Sequence, residues 1–225
     1  MLDFAKASDA ALLAYKVNNR KHEIIARKQD ILDSVNHYHN ITPTSVLFIG
    51  FSSFIFASST APIYITCISD DVKEYLKTQN INFKYVTETE LIKYQKKFQT
   101  VIASDEFFTY ADSDASQKSL VTEIANLATH YILTTLRDYK NQDFKDKEFS
   151  QPCVTDQLDS KTIFLEYHDW DYRDRASWRS SIYAINQEAN TMTRFGPLAR
   201  RTMYFKQLAK FSIDAGADSF LVHKN

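Results

Sequence analysis

The chain has 225 residues, 44% hydrophobic and 14% aromatic, enough for one full core and short for two. Its 27 basic and 28 acidic residues leave a formal net charge of -1, which argues against the electrostatic footprint of a nucleic-acid-binding protein. No apolar run approaches the ~20 residues of a membrane span. The start, MLDFAKASDAALLAYK, lacks the apolar centre of a secretion signal, and two distant cysteines, Cys67 and Cys153, without metal-site spacing fit a reducing, cytoplasmic setting.

In chain order, residues 3–40 read as helix. Leu12, Leu13, Ala14 and Val17, then Ile24, Ile25, Ile31, Leu32 and Val35, recur at helical spacing, with a break at NNRKH (18–22). ITPTS (41–45) ends this region. An alternation follows: strand 45–49, short helix 52–58, strand 62–68, helix 70–78, strand 82–86, short helix 88–95 and strand 100–104. Asp70 and Asp71 suit the positive end of their helix. Residues 113–129 form a helix capped by Ser113 or Asp114, with Leu120, Ile124 and Leu127 as its apolar face, and 130–136 form a fifth strand. Short apolar strands joined by helices imply a parallel sheet covered on both faces. Ligands of such sheets bind beyond the carboxyl ends of the strands, at the switch point.

The remainder changes character. A charged loop (137–152) leads to KTIFLEYHDW (161–170) and WRSSIYAIN (178–186), two strands of a hairpin joined through DYRDRAS. A helix within 199–217 ends near Gly216, and DSFLVHK (218–224) reads as a last strand.

Residues 46–54, VLFIGFSSF, are a strand running into a glycine turn, and ITCIS (65–69), FQTVIASDEFFTY (98–110) and SLVTEIANLATHYILTTLRD (119–138) follow at fitting distances. Together with FKQLAKFSIDAGADSFLV (205–222), this order resembles the class I S-adenosylmethionine-dependent methyltransferases, over roughly 44–136 with a tail at 199–224. Val46, Leu47, Ile49 and Gly50 match the family's V-L-D-I-G-C-G-T-G motif. Phe48 replaces its acid, and Ser52 and Phe54 replace its second and third glycines. Ser69 stands where the family places a ribose-binding acid, with Asp70 one residue later.

The resemblance implies a doubly wound, mostly parallel Rossmann-like α/β sheet: an N-terminal helical segment (1–40) packed on a domain of residues 41–225, with a hairpin insertion at about 160–187. It implies S-adenosylmethionine as cofactor and S-adenosylhomocysteine as product, with Gly50, Ser52, Ser53, Asp70, Glu88, Asp105 and Glu106 as cofactor-binding residues. The expected acceptor is a small molecule or a protein side chain. DNA is not expected, because SDEF stands where the DNA amino-methylating branch has D/N-P-P-Y/F. The stretch EYHDWDYRDRASWR (166–179) offers His168 as a base and Trp170, Tyr172, Arg173 and Arg175 as acceptor-binding residues. Ordinary roles stand beside each of these: helix caps for Ser52, Ser53, Asp70 and Glu88, and surface ion pairs for the hairpin charges. The loss of two motif glycines and the strand-one acid also fits a catalytically inactive binding or assembly protein built on the same fold. Another nucleotide is disfavoured, since pyrophosphate approach uses the missing glycines and no P-loop is present.

Overall fold

The computed structural model describes residues 4–18, 20–57, 61–94, 98–103, 106–137, 147–150, 152–155, 161–171, 173 and 176–217. Two helices open the chain, α1 (Phe4–Val17) and α2 (Lys21–His39). The strands β1 (Val46–Ile49), β2 (Ile63–Thr66), β3 (Phe83–Tyr85), β4 (Phe98–Ala103) and β5 (Ala128–Leu133) form one parallel sheet in the order β3-β2-β1-β4-β5. Between them run a 3-10 turn (Ser53–Phe56), α3 (Asp70–Thr78), the short α4 (Glu88–Leu91) and α5 (Asp114–Ala125).

The central strand is apolar throughout because both faces of the sheet are covered. Leu47 and Ile49 join Val101, Ala103 and Phe98 of β4 and meet Val121 and Ile124 of α5. Val46 and Phe48 point the other way, with Ile102, and meet Leu32 of α2 and Val72 and Leu76 of α3. The period-2 alternation of the strands thus feeds two cores. In α3, Val72 and Leu76 lie one helical turn apart and are fully buried. Its cap is Ser69, whose hydroxyl accepts the Val72 N–H at 3.2 Å, while Asp70 and Asp71 occupy the first turn.

A second, antiparallel sheet follows. It comprises β6 (Lys147–Phe149), β7 (Cys153–Thr155), β8 (Thr162–Trp170), β9 (Ser177–Asn186) and β10 (Thr191–Arg201), in the order β10-β9-β8-β6 with β7 also pairing β8. The expected hairpin is β8 and β9, the middle of this larger sheet. The eleven-residue β10 was not foreseen. Its register slips between Phe195 and Leu198, around Gly196 at φ 104, so the strand bends at a glycine bulge. The last element among the described residues is α6 (Phe205–Asp214), which packs Leu208 and Phe211 into the α5 side of the core. Gln117 of α5, fully buried, donates to the carbonyls of Phe108 (3.2 Å), Arg201 (3.2 Å) and Thr202 (3.1 Å) and so ties the end of β10 to the parallel sheet. The expected last strand, 218–224, lies outside the described residues.

Candidate active site at the strand ends

The chain runs β1, β2, β3 in one direction and then returns to place β4 on the other side of β1. The switch point therefore lies between β1 and β4, and the crevice beyond their carboxyl ends is where such sheets hold ligands. Ile49 pairs with both Thr66 and Ala103, so the ends of β1, β2 and β4 are level. Each of these strands leaves the sheet close to a left-handed residue: Gly50 at φ 76, Cys67 at φ 57 and Glu106 at φ 56. Among the described non-glycine residues, the others with positive φ are asparagines, which tolerate this conformation. At Cys67 and Glu106 it costs of order 1–3 kcal/mol each, and such strain clusters at functional sites.

Helix α1 crosses this edge. Phe4, Ser8, Leu12 and Tyr15 recur at helical spacing and fall on one face. Phe4 stacks on Phe107 beyond β4, with ring centres 4.7 Å apart. The Ser8 hydroxyl accepts the Phe51 N–H at 3.1 Å and donates to the Cys67 carbonyl at 2.7 Å, bridging the ends of β1 and β2. Next to it, Asp9 accepts a hydrogen bond from the Ser69 hydroxyl. Leu12 enters the core beside Phe48, and Tyr15 stacks on Phe56 at 4.9 Å. Burial pushes the Cys67 thiol up to about 12, with the charge of Glu88 adding to the effect, so it is not a thiolate nucleophile.

A charged cluster joins the end of β4 to the second sheet. Arg200, 8% exposed, donates to Glu106 and to Thr109 Oγ1 (3.1 and 2.9 Å). Its guanidinium lies 4.6 Å from the Tyr110 ring and 5.1 Å from the Trp178 ring. Arg137, just past β5, holds the other oxygen of Glu106 at 3.1 Å. Glu166 of β8 lies 4.0 Å from Arg200 and 2.8 Å from Nε2 of His168. Burial raises the Glu166 pKa. The hydrogen bond and charge of His168 and the charges of Arg200 and Arg137 outweigh it, so the carboxyl titrates below its ordinary 4.5. Away from the strand ends, an open cleft of about 420 Å³ between β10 and α6 is lined by Arg201, Tyr204, Lys206 and Lys210 among others. Its Arg201 is held by Asp114 at 2.7 Å.

No family model and no curated protein matches the sequence. Solved structures do. The chain superposes on DesVI from Streptomyces venezuelae with a TM-score of 0.71, 11% identity and coverage of 92% of this chain and 89% of that one. It superposes on S-adenosylmethionine-bound CalS10, an amino pentose methyltransferase from Micromonospora echinaspora, with a TM-score of 0.66, 8% identity and coverage of 91% and 86%. For the sugar N-methyltransferase KedS8 from a Streptoalloteichus species the values are 0.65, 10%, 85% and 79%. This is the class I methyltransferase fold.

Within the methyltransferase fold, the expected site residues separate into groups. Gly50 makes the turn after β1, its N–H bonded to the Thr66 carbonyl at 3.0 Å. Ser52 and Ser53 are buried behind it, and Ser52 caps the 3-10 turn by accepting the Phe54 N–H. Phe48 and Phe54, at the acid and third-glycine positions of the motif, are buried in the α2–α3 side of the core. Asp70 points into solvent, its side chain 92% exposed and paired with Lys73 at 2.8 Å. Glu88 lies in the first turn of α4, 3.7 Å from Cys67 Sγ. Glu106 and His168 are brought together in the charged cluster. Trp170 is buried and stacked on Trp178 at 4.4 Å, so it forms a wall of that cluster and not an open platform. Arg173 is exposed at the hairpin tip. Asp105, Tyr172 and Arg175 lie outside the described residues. Sequence reasoning missed Ser8, Asp9, Arg137 and Glu166. The one local signal was a serine at position 8 in the apolar stripe of α1.

Proposed function

We propose that the protein is an S-adenosylmethionine-dependent methyltransferase acting on a small molecule. The observation that carries this reading is the meeting of three left-handed strand ends at the switch point of a methyltransferase-type sheet. The residues there suit the cofactor by their donor and acceptor set. Gly50 turns the chain without a Cβ, the Phe51 N–H is bonded to a side chain of α1 instead of a sheet partner, and Asp9 stands at the end of β2. Gly50 would let the group approach the backbone on the β1 side, with Asp9 and Glu88 on the β2 side. When bound, the cofactor supplies a methyl group on an activated sulfonium.

The chain's own residues then align the acceptor and exclude water. α1 covers the cleft, and the second sheet forms the acceptor side. His168 is the proposed general base. Glu166 takes up its Nε2–H, which leaves the lone pair on Nδ1. A small-molecule acceptor is favoured by CalS10 and KedS8, whose names give an amino pentose and a sugar nitrogen as the groups methylated. Titration calorimetry with S-adenosylhomocysteine tests the reading: saturable binding below millimolar ligand supports it, and no heat at millimolar ligand removes it.

A second reading is favoured by Phe48, Phe54 and Ser8. The two aromatic rings are buried in the core, and the Ser8 hydroxyl already satisfies polar groups at both strand ends. A methyltransferase-like binding protein that has lost catalysis would look like this, and the same titration separates the two.

A further inference from the structure

We propose that Arg137 binds an anionic group, a carboxylate or a phosphate, on the methyl acceptor; this deepens, and rests on, the methyltransferase reading above. Glu106 is the starting observation. It follows β4 in the left-handed conformation, at φ 56 and ψ 24, a strained state for such a residue. Its N–H is bonded to the Thr135 carbonyl past β5 at 3.1 Å. One of its carboxylate oxygens takes Arg200, and the other takes Nε of Arg137 at 3.1 Å. Both oxygens therefore face a guanidinium. The strained residue at the lip of the crevice is turned to holding two arginines.

The two arginines differ in what they can still give. Arg200 is buried and engaged by Glu106, Thr109 and the rings of Tyr110 and Trp178. The Arg137 side chain is 46% exposed, and among the described residues its ion-pair partner is Glu106. A guanidinium carries its N–H donors in a rigid planar fork. The contact with Glu106 is made at Nε, so the donors on the two terminal nitrogens stay open to solvent. Such a fork matches paired oxygens of a carboxylate or phosphate, and holding it in one orientation lowers the entropic cost of that match. Its position gives the fork a use. Arg137 follows β5, which pairs with β4 on the same side of the switch point. Its charge also reaches Glu166, the partner of His168. Arg200 stands between Glu106 and Glu166 and offsets the repulsion that these carboxylates exert on an anion. An anionic group seated on Arg137 therefore tethers the acceptor on the side of the proposed base.

The test is a titration of the full chain with inorganic phosphate and with acetate, at constant ionic strength so that general screening does not change. S-adenosylhomocysteine is titrated first, by calorimetry. NMR of the nitrogen-labelled chain then reads the arginine Nε–H signals, and the signal lost in Arg137→Gln is that of Arg137. It is expected to move saturably with one anion or both, while the signal of Arg194, whose guanidinium is bonded to Ser181, stays in place. Saturation by phosphate points to a phosphate ester as acceptor and saturation by acetate to a carboxylic acid; either supports the proposal. Arg137→Gln is expected to weaken the responding anion by about tenfold to a hundredfold, the range for a hydrogen bond to a charged group, and Arg194→Gln to bind it as the wild type does. The proposal is overturned if the Arg137 signal saturates with neither anion, or if Arg137→Gln binds as tightly as the wild type. It is equally overturned if Arg194→Gln loses as much, since the anion would then sense only surface charge. Binding of S-adenosylhomocysteine without an anion response overturns the Arg137 assignment alone. A chain that binds no S-adenosylhomocysteine overturns the cofactor reading, whichever way the anion titration falls.

Discussion

At the scale of single residues, the charged cluster carries the largest electrostatic stake. Arg200 and Glu106 are both little exposed, and each has more than one partner. A buried pair of this kind is weak evidence for net stabilisation, yet removing one member strands the other. Glu166 allows a test with a definite sign. Its carboxyl is held below the ordinary 4.5, so it contributes stability at pH values above that figure. That contribution is lost as pH falls through the folded-state value. Denaturant unfolding followed from pH 7 downwards should therefore show the wild-type chain losing stability below about pH 4.5 more steeply than Glu166→Gln. Parallel curves would mean that its neighbours do not lower the Glu166 pKa in the folded chain. None of these pairings was legible in the sequence. His168 and Glu106 drew attention separately, by residue type and position, but their partners Glu166 and Arg200 come from strands whose register only the folded sheet sets.

At the scale of elements, the parallel half was readable because each piece carries its own local signal. Helix α3 has Ser69 before it, acids in its first turn and apolar residues one turn apart. Helix α5 begins at Ser113, whose hydroxyl accepts the Ser116 N–H at 3.1 Å. Strand β10 was missed for an equally physical cause. Its centre is Gly196-Pro197, which reads as a strand breaker, and the fold uses it as a bulge. Gly196 is bound to that role. At φ 104, a Cβ would come within 2.7 Å of the Ser180 carbonyl oxygen. Gly196→Ala should lower stability by roughly 1–3 kcal/mol, the cost of a strained backbone position, measured by the denaturation midpoint. An unchanged midpoint would show that β10 can relax around the new side chain. Helix α1 is the reverse case. Its helicity was evident, but its task was not, because Ser8 and Asp9 act on groups 43 to 60 residues away in sequence.

At the scale of the whole molecule, a parallel sheet, an antiparallel sheet and a covering helix meet at one edge. The strand ends of β1, β2 and β4 form its floor, α1 its cover, and the Glu106–Arg200–Glu166–His168 cluster its far wall. The departures from the family's glycine motif sit inside this frame. Phe48 and Phe54 are absorbed by the core, and polar groups that the motif would leave to a ligand are bridged by α1. This covered edge is the proposed site of S-adenosylmethionine and its product. Amide hydrogen exchange of the full chain, with and without S-adenosylhomocysteine, locates binding directly, because ligand contact and helix closure both suppress local opening. Added protection is expected in α1 and in the segments after β1, β2 and β3, residues 50–57, 67–72 and 87–91. Unchanged exchange there at saturating ligand, or protection elsewhere in the chain, would contradict it.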